Sequence, residues 1–312
     1  MPRKRDERVS AAPDSLTAET FAELPARFRR KRASPWSEAN RGGRALDSFL
    51  EGPAFDRDGN LYVVDIPFGR VFRIAPEGTF AQVAEYDGEP NGLKIHRDGR
   101  IFITDYKNGI VLLDGANGTV TPVLERRWGE RFKGVNDLFF AANGDLYFTD
   151  QGQTGLQDPT GRVYRLTPDD RLDLLLGTVP SPNGLVMNRD ETALLVAATR
   201  ANAIWRLPLM PDGTVSKVGL FIQLSGGLGG PDGLALDEVG NLAVAHAGLG
   251  TVWLFDPLGE KLLRIRSPRG LLTTNLAYGG PERRTLYITE SETGSVLRVR
   301  LPIGGKPMFS HL

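Results

Sequence analysis

Hydrophobic residues along the chain fall in short runs separated by turn residues, and one arrangement of these runs recurs. In residues 51–74 the run Pro53–Phe55 leads through Asp58-Gly59 to Leu61–Val64, which ends in Asp65 and is followed by Val71–Ile74. Five similar units begin with the same kind of polar residue, at Asn91, Asn136, Asn183, Asp232 and Asn275. Their starts lie 40 to 49 residues apart, a period typical of propeller blades. The pattern therefore predicts six blades.

The turns and the composition of the runs favour strands over helices. Asp58-Gly59, Asp98-Gly99 and Asn143-Gly144 stand between apolar runs, and these pairs suit tight hairpins. The runs are rich in β-branched and aromatic residues, and their nearly continuous apolarity indicates strands buried on both faces. We therefore predict an all-β fold, a six-bladed β-propeller with four-stranded antiparallel blades.

The outermost strand of each blade follows the third run. Five such segments can be assigned: Phe80–Tyr86, Val120–Glu125, Leu172–Leu176, Leu220–Leu224 and Lys261–Ile265. For the sixth blade we expect Ala45–Leu50, which precedes the first blade, to supply this strand and close the ring. The tail Pro307–Leu312 competes for the same place.

Residues 1–40 lack long apolar runs and are predicted to form a short N-terminal extension to a propeller of residues 41–312. Within this extension a helix is expected from Ser15 through Leu24, capped by Ser15 or Thr17 and ended by Pro25. No function is assigned to the extension from its sequence.

Composition and charge narrow the range of functions. The chain has 38 basic and 38 acidic residues, which gives no reason to expect nucleic acid or an anionic membrane as a partner. It has no cysteine, which excludes disulfides, thiolate metal sites and a cysteine nucleophile. With no apolar run of membrane-spanning length and no secretion signal, we expect a cytoplasmic protein. The oligomeric state stays open.

The polar residue that begins each repeat is the first candidate for chemistry. In a propeller the six innermost strands begin on the same face, and their first polar residues here are Glu51, Asn91, Asn136, Asn183, Asp232 and Asn275. Converging carboxylate and amide oxygens are the ligands of a hard cation, above all calcium. The alternative is that Asn-Gly and Asp-Gly merely form turns, although a turn alone would not select Glu51. Three scattered histidines, His96, His246 and His311, disfavour a closed zinc site.

A second ring is expected where the second strands return to the same face. Its members are Asp65, Asp105, Asp150, Ala198, His246 and Glu290. Most of them are expected to cap loops by accepting hydrogen bonds from backbone amides. Asp150 and His246 are the two with a plausible role in proton transfer. A Gly-x-Ser-x-Gly motif is absent from the sequence, so hydrolysis by a serine nucleophile has no support.

Four blocks of sequence carry a resemblance to a known family: EGPAFDRDGNLYVVD, VNDLFFAANGDLYFTD, SPNGLVMNRDE and GPDGLALDEVGNLAVA. From about residue 45 to 301 the chain is similar to the gluconolactonase, regucalcin (senescence marker protein) and luciferin-regenerating enzyme family of calcium-dependent six-bladed propellers. Within the family, GLKIHRDGRIFI and FTDQGQTGLQDPTGRVYRL look like the bacterial drug-responsive lactonases.

The resemblance implies roles for individual residues. Glu51, Asn183 and Asp232 would bind the metal directly, and Asn136 would bind either the metal or the substrate. Asp232 would also act as acid or base. Sugar-lactone members carry an arginine two residues before the equivalent of Asn136, where this chain has Gly134, which speaks against an aldonolactone substrate.

The remaining site residues complete one hypothesis. Asp137 and Asp150 are reserve candidates for catalysis, and Asn91, Asn136 and His246 are assigned to substrate binding. The function expected is calcium-dependent lactone hydrolysis, with Zn²⁺, Mg²⁺ and Mn²⁺ as alternative ions, in which the metal polarises the lactone carbonyl and a carboxylate takes a proton from water. The alternatives are a phosphotriester or fluorophosphate hydrolase on the same centre, and a non-enzymatic calcium-binding propeller.

Overall fold

The strands of the chain form six blades arranged in a ring. A computed structural model describes residues 13–312, in which each blade contains four antiparallel strands. The predicted six-bladed β-propeller is therefore confirmed. In the part of the chain that the structure describes, no helix is long and apolar enough to cross a membrane.

The blades use equivalent strands in equivalent places. The innermost strands are Leu50–Phe55, Pro90–Ile95, Val135–Phe140, Pro182–Met187, Gly230–Leu236 and Thr273–Gly279. The second strands are Leu61–Asp65, Ile101–Asp105, Leu146–Asp150, Ala193–Ala198, Leu242–Ala247 and Thr285–Glu290. The third strands are Arg70–Ile74, Gly109–Leu113, Gly161–Leu166, Ala203–Pro208, Thr251–Phe255 and Ser295–Arg300. The outermost strands are Phe80–Glu85, Val120–Leu124, Leu172–Val179, Gly219–Gln223, Lys261–Arg266 and Glu19–Glu23.

The hydrophobic core lies between neighbouring blades. Val64 and Val71 of the first blade pack in one buried cluster with Leu93 and Ile103 of the second. Because each blade is covered on both faces in this way, its strands are apolar on both faces, which explains the nearly continuous hydrophobic runs.

The ring is closed by a strand from the N-terminal segment. Glu19–Glu23 pairs antiparallel with Ser295–Arg300, with Glu19 opposite Arg298 and Glu23 opposite Ser295. The expectation that Ala45–Leu50 closes the ring is therefore wrong. Leu50 instead begins the innermost strand of the first blade, next to the channel, so the residues just before it cannot reach the outer edge of the last blade. The tail Pro307–Leu312 forms no strand and ends in the 3-10 helix Phe309–His311.

The helix expected from Ser15 through Leu24 is also wrong. This segment forms two strands, Asp14–Thr17 and Glu19–Glu23, and the first adds a parallel fifth strand beside Lys261–Arg266. The open edges of two blades provide the hydrogen-bond partners, so pairing with distant strands overrides the local helix preference.

A short helix, α1, follows at Pro35–Arg41. It begins after Ser34, whose side chain accepts a hydrogen bond from the Ser37 backbone, and it ends at Gly42 in the left-handed conformation. Trp36 anchors the helix against Phe49, with ring centroids 4.7 Å apart. Because Phe49 directly precedes the first innermost strand, α1 lies on the face where the innermost strands begin.

The other short elements lie between strands or after the last strand. The 3-10 helices are Ala26–Phe28, Ile66–Phe68, Thr199–Ala201, Pro281–Arg283 and Phe309–His311. A small hairpin joins Arg126–Arg127 to Glu130–Arg131.

Candidate functional site

The six polar residues predicted to form a ring all lie in the innermost strands, beside an irregularity in strand pairing. The register between the first and second strands shifts in every blade: Glu51 to Ala54, Pro90 to Gly92, Val135 to Leu138, Pro182 to Leu185, Pro231 to Leu234 and Thr273 to Asn275. Such β-bulges release a residue from the ladder and redirect its side chain. They explain how these polar side chains leave the sheet at the channel.

Glycine after the ring residue allows adjacent blades to approach closely. Gly52 has φ +56°, and a Cβ placed there would lie 2.5 Å from the Asn91 carbonyl oxygen. A Cβ at Gly184 would lie 2.3 Å from the Asp232 carbonyl oxygen. The glycine therefore serves packing and backbone shape, whereas the polar residue before it remains available for another purpose.

Asp137 occupies the place that glycine takes in most of the other blades. The residue is 3% exposed, and its carboxylate accepts a hydrogen bond of 2.8 Å from the Leu138 backbone amide. The Asn275 Nδ2 lies 3.3 Å from its Oδ2, and the Lys94 Nζ lies 3.9 Å from its Oδ1. A third carboxylate is thus added beside the ring.

Threonine hydroxyls of the second strands hold the bulged segments in place. The Thr149 hydroxyl accepts from the Asp137 backbone amide at 3.1 Å and donates to the Asn183 carbonyl of the next blade at 2.9 Å. The Thr104 hydroxyl likewise accepts from Gly92 and donates to the Asn136 carbonyl. These contacts satisfy backbone groups that the bulges leave out of the ladder and fix ring residues of neighbouring blades relative to each other.

Glu51 is a buried carboxylate at this end of the channel. It is 3% exposed, and its Oε2 accepts hydrogen bonds from the Gly52 backbone amide at 2.7 Å and from Asn275 Nδ2 at 2.8 Å. Burial raises the pKa of Glu51 to about 7, the charge of Asp137 adds to the rise, and these hydrogen bonds oppose it. The protonated form of Glu51 is therefore populated near neutral pH when no cation is bound.

Asp232, half-buried in the innermost strand of the fifth blade, is subject to the same kinds of influence. Burial first, and then the charges of Glu51 and Asp137, raise the pKa of Asp232 well above its usual range. Hydrogen bonding from Asn183 and the charge of Arg200 act in the opposite direction.

The charges of these two carboxylates are suited to a cation. Among residues 13–312, neither Glu51 nor Asp232 forms an ion pair with a lysine or arginine, whereas the neighbouring Asp137 is close to Lys94. Like charges brought together away from water need a counter-charge or a proton. The donor chemistry of the site therefore suits a divalent ion with oxygen ligands.

Amide side chains would have to complete such a site. Within residues 13–312, no group of three or more His, Cys, Asp or Glu side chains is arranged to hold a metal ion by itself. Asn136 donates through its Nδ2 to Gln151 Oε1 at 3.0 Å, an orientation that leaves the Asn136 Oδ1 for another partner. Asn91 and Asn183 are buried at equivalent positions. The candidate donor set thus combines two carboxylates with amide oxygens.

Asn275 is the ring residue whose amide is already engaged at both ends. Its Oδ1 accepts from the Leu276 backbone amide at 2.8 Å, while its Nδ2 donates to Glu51 and Asp137. Asn275 therefore orients carboxylates and offers no oxygen to a cation in this arrangement.

Most acidic residues of the second ring cap loops, as expected. Asp65 accepts from the Phe49 backbone amide at 2.7 Å and pairs with buried Arg70. Asp105 accepts from the backbone amides of residues 89, 107 and 108. Glu290 accepts from those of residues 292 and 293.

Asp150 and His246 make their contacts away from the first ring. Asp150 Oδ1 accepts from the Gly134 backbone amide at 2.9 Å, and burial raises the pKa of Asp150 to about 6. His246 is fully buried, its Nδ1 accepts from Trp253 Nε1 at 3.2 Å, and burial lowers its pKa. The hydrogen bonds of neither side chain reach a first-ring side chain, so their proposed roles in the reaction remain hypotheses.

Comparison with known proteins assigns the family. Residues 49–292 match the model of the SMP-30/Gluconolactonase/LRE-like region, which contains every innermost strand and five of the six outermost ones. The chain belongs to this family. The resemblance found in the sequence blocks is thereby confirmed.

Two curated relatives of the family cover most of the chain. Lactonase drp35 of Staphylococcus aureus (strain MRSA252) is 31% identical over 284 residues, which are 85% of this chain and 85% of that protein. Gluconolactonase of Zymomonas mobilis is 32% identical over 281 residues, which are 80% of this chain and 78% of that protein. The similarity therefore extends well beyond the residues of the candidate site.

Solved structures show the same fold at lower sequence identity. A calcium-binding protein, regucalcin, from Agrobacterium tumefaciens superposes with a TM-score of 0.76 and 21% identity, covering 97% of this chain and 99% of that one. A gluconolactonase from Xanthomonas campestris gives a TM-score of 0.72 and 24% identity, with coverage of 94% and 99%. At this identity the likeness concerns the propeller fold.

Two residues near the site had little or no prior signal in the sequence. Lys94, half-buried beside Asp137, is the third residue after Asn91 and could have been found by following the innermost strand along the channel. Arg41, at the end of α1, lies outside the repeats, so no comparison among repeats could identify it.

Proposed function

We propose that this protein is a calcium-dependent lactone hydrolase. The observation that carries the proposal is the pair of carboxylates, Glu51 and Asp232, at one end of the channel. Both have raised pKa values, and neither forms an ion pair with a lysine or arginine in residues 13–312. The lactonase and gluconolactonase relatives of the same family support a lactone as the substrate.

Glu51, Asn136, Asn183 and Asp232 would hold the ion. All four offer oxygen atoms, which calcium prefers, and amide oxygens are common among its ligands. Mg²⁺ and Mn²⁺ accept similar donors, whereas Zn²⁺ more often takes nitrogen or sulfur ligands. A bound calcium ion supplies Lewis acidity toward the carbonyl oxygen of the lactone.

Side chains of the protein carry out the proton transfers. Water attacks the lactone carbonyl carbon, and Asp232 accepts the proton that the water loses. As the ring C–O bond breaks, Asp232 returns the proton to the departing alkoxide oxygen, which gives a hydroxy acid. Such a carboxylate would act first as general base and then as general acid. Asp137 is the reserve base, and its Oδ1 lies 3.9 Å from Lys94 Nζ.

Substrate-binding residues are assigned by their position. Asn91 and Asn136 are buried on neighbouring blades at the same end of the channel, where their amides can orient a lactone beside the carboxylates. In the second ring, Asp150 is proposed as a reserve catalytic residue and His246 as a substrate-binding residue. Asp150→Asn and His246→Ala variants will show whether either influences turnover.

A panel of sugar, aliphatic and aromatic lactones tests the proposal. Each lactone is assayed by acid release with metal-stripped protein and with protein supplied with Ca²⁺, Mg²⁺, Mn²⁺ or Zn²⁺. We expect calcium-dependent opening of at least one aliphatic or aromatic lactone. Hydrolysis of diisopropyl fluorophosphate without any lactone opening would show that the reaction class is wrong. Calcium binding without hydrolysis of either class would indicate a non-enzymatic propeller.

A further inference from the structure

Helix α1 extends from the N-terminal segment over the end of the channel that holds the candidate site. Its Asn40 Oδ1 accepts a hydrogen bond of 3.1 Å from Gln153 Nε2 in a loop of the third blade. The same Gln153 amide lies 2.8 Å from the hydroxyl of Tyr106 in the second blade. Trp36 packs on Phe49 beside the first blade. The helix thus contacts the first and third blades at this end of the channel, and Gln153 links it to the second.

Arg41 is the last residue of α1, and its guanidinium lacks a polar partner among residues 13–312. The side chain is half-buried, with its Cζ 5.0 Å from the centre of the Phe49 ring. Burial lowers the pKa of Arg41, and among the charges that oppose this lowering Asp232 is the strongest, followed by Glu292. Arg41 thus lies at the end of α1, against Phe49, and Asp232 is the acidic residue whose charge acts most strongly on it.

The half-buried Arg41 guanidinium forms no ion pair with an acidic side chain among residues 13–312, so its hydrogen-bond donors remain available to an anionic ligand. The reaction proposed above produces one, because opening any lactone converts a neutral ester into a carboxylate. Arginine binds carboxylates with two parallel hydrogen bonds, and an aromatic ring beneath it leaves those donors free. Arg200, exposed in the loop Thr199–Ala201, adds a second positive charge near Asp232.

We propose that Arg41 binds the carboxylate of the ring-opened hydroxy acid, which makes the N-terminal helix part of the substrate and product site. This inference rests on the proposed lactone hydrolysis for the identity of the anion. It assigns a binding role to a segment outside the repeats that form the propeller.

Binding of a matched pair of small molecules tests the inference without requiring turnover. The probes are 4-hydroxybutyrate and its uncharged analogue 4-hydroxybutyramide, titrated by NMR into the calcium-supplied full-length protein. The variants are Arg41→Gln, Arg41→Lys and the control Arg44→Gln, which removes an exposed arginine three residues away. Thermal melting of each variant reports whether α1 and the fold are kept.

The wild type is expected to bind the carboxylate about 10- to 100-fold more tightly than the amide, as expected for a hydrogen bond to a charged group. Arg41→Gln should abolish this preference, Arg41→Lys should keep part of it, and Arg44→Gln should leave it unchanged. Equal binding of the two probes by the wild type would overturn the inference, as would an Arg41→Gln variant that keeps the preference. A variant that only melts earlier would assign Arg41 a purely structural role and contradict the proposal.

These outcomes separate the inference from the proposed reaction. If the protein opens lactones but binds the two probes equally, only the proposed role of Arg41 is refuted. If the protein prefers the carboxylate through Arg41 but opens no lactone, the proposed reaction is refuted. Arg41 is then an anion-binding residue at the channel.

Discussion

Asn275 Nδ2 lies 2.8 Å from Glu51 Oε2, which joins the last blade to the first across 224 residues of sequence. The contact lies where the ring closes, and it positions a carboxylate of the candidate metal site. A second link, from the Ser291 hydroxyl to the Leu50 carbonyl at 2.6 Å, crosses the same boundary. Contacts that join the last blade to the first therefore also position the candidate metal site.

The first prediction concerns this contact. Asn275→Asp replaces the donor with a carboxylate beside Glu51 and Asp137. In chelator at pH 8 we expect the free energy of unfolding to fall by about 2 kcal/mol, because a hydrogen bond to a charged group is lost and repulsion is added. At pH 5, below the raised pKa of Glu51, Glu51 holds a proton and the loss should be smaller. Urea titrations at both pH values measure it, and an equal loss at both would argue against charge repulsion as the cause.

The second prediction concerns the strand that closes the ring. Leu24, 2% exposed, follows Glu19–Glu23 and packs in a cluster with Leu50 and Val63 of the first blade. Leu24→Ala should lower the free energy of unfolding by roughly 2–4 kcal/mol.

Leu16 provides the matched control for this variant. It lies on the neighbouring strand and is 42% exposed, so Leu16→Ala should change stability by less than about 0.5 kcal/mol. Deleting residues 1–24 should in addition expose the edge of Ser295–Arg300 and cause aggregation. Equal effects of the two leucine variants would refute closure by this strand.

The repeats made the fold predictable, because the same pattern of strand, turn and strand recurs in each blade. The closing strand was not predictable in this way. The segment Glu19–Glu23 has residues that suit a helix, and only the open edge of Ser295–Arg300, far away in the sequence, makes it a strand. Long-range pairing of this kind leaves little trace in local periodicity.

The site residues also divide into those that the repeats revealed and those that depend on the folded structure. Aligning the repeats located Glu51, Asn183 and Asp232, and the position after the ring residue contained a further signal. Asp137 stands there in place of the usual glycine, which suggests a side chain directed at the channel. The role of Asn275 as a hydrogen-bond donor to carboxylates depends on the geometry of the bulge, which the sequence alone does not define.

The third prediction is a pH dependence of stability in the metal-free protein. Burial raises the pKa of Glu51 from its ordinary value to about 7, so the folded state binds the proton more tightly than the unfolded state. The stabilising contribution of that proton is complete below about pH 4.5, the unfolded value, and is lost as pH rises toward 7.

Melting temperatures in chelator between pH 5 and pH 8 measure this dependence. Glu51→Gln should flatten the decline, while the exposed control Glu77→Gln should reproduce the wild-type curve. Calcium should restore stability to the wild type at pH 8, since it replaces the proton as counter-charge. A wild-type curve that rises from pH 5 to pH 8 in the same way as that of Glu51→Gln would contradict the prediction.

The fourth prediction concerns the proton acceptor. Asp232→Asn should lower kcat by roughly 10²–10⁴-fold at full calcium occupancy, because general-base assistance is lost. Metal content must be measured in the same sample, since Asp232 is also a proposed ligand. Asp137→Asn and Asp150→Asn are the comparison variants. Near-normal turnover of loaded Asp232→Asn, together with a large loss in either comparison variant, would reassign the base.

The central claim is that lactone opening depends on a calcium ion held by Glu51 and its ring partners. The most direct measurement is the initial rate of lactone hydrolysis as a function of free calcium, beginning with metal-stripped protein, for the wild type and for Glu51→Gln. We predict no catalysed rate without metal, a saturable return with calcium, and a half-saturating concentration at least about 10-fold higher in the variant, because ligand charge sets calcium affinity. A stripped wild type that keeps its full rate, or a variant with an unchanged calcium dependence, would contradict the account.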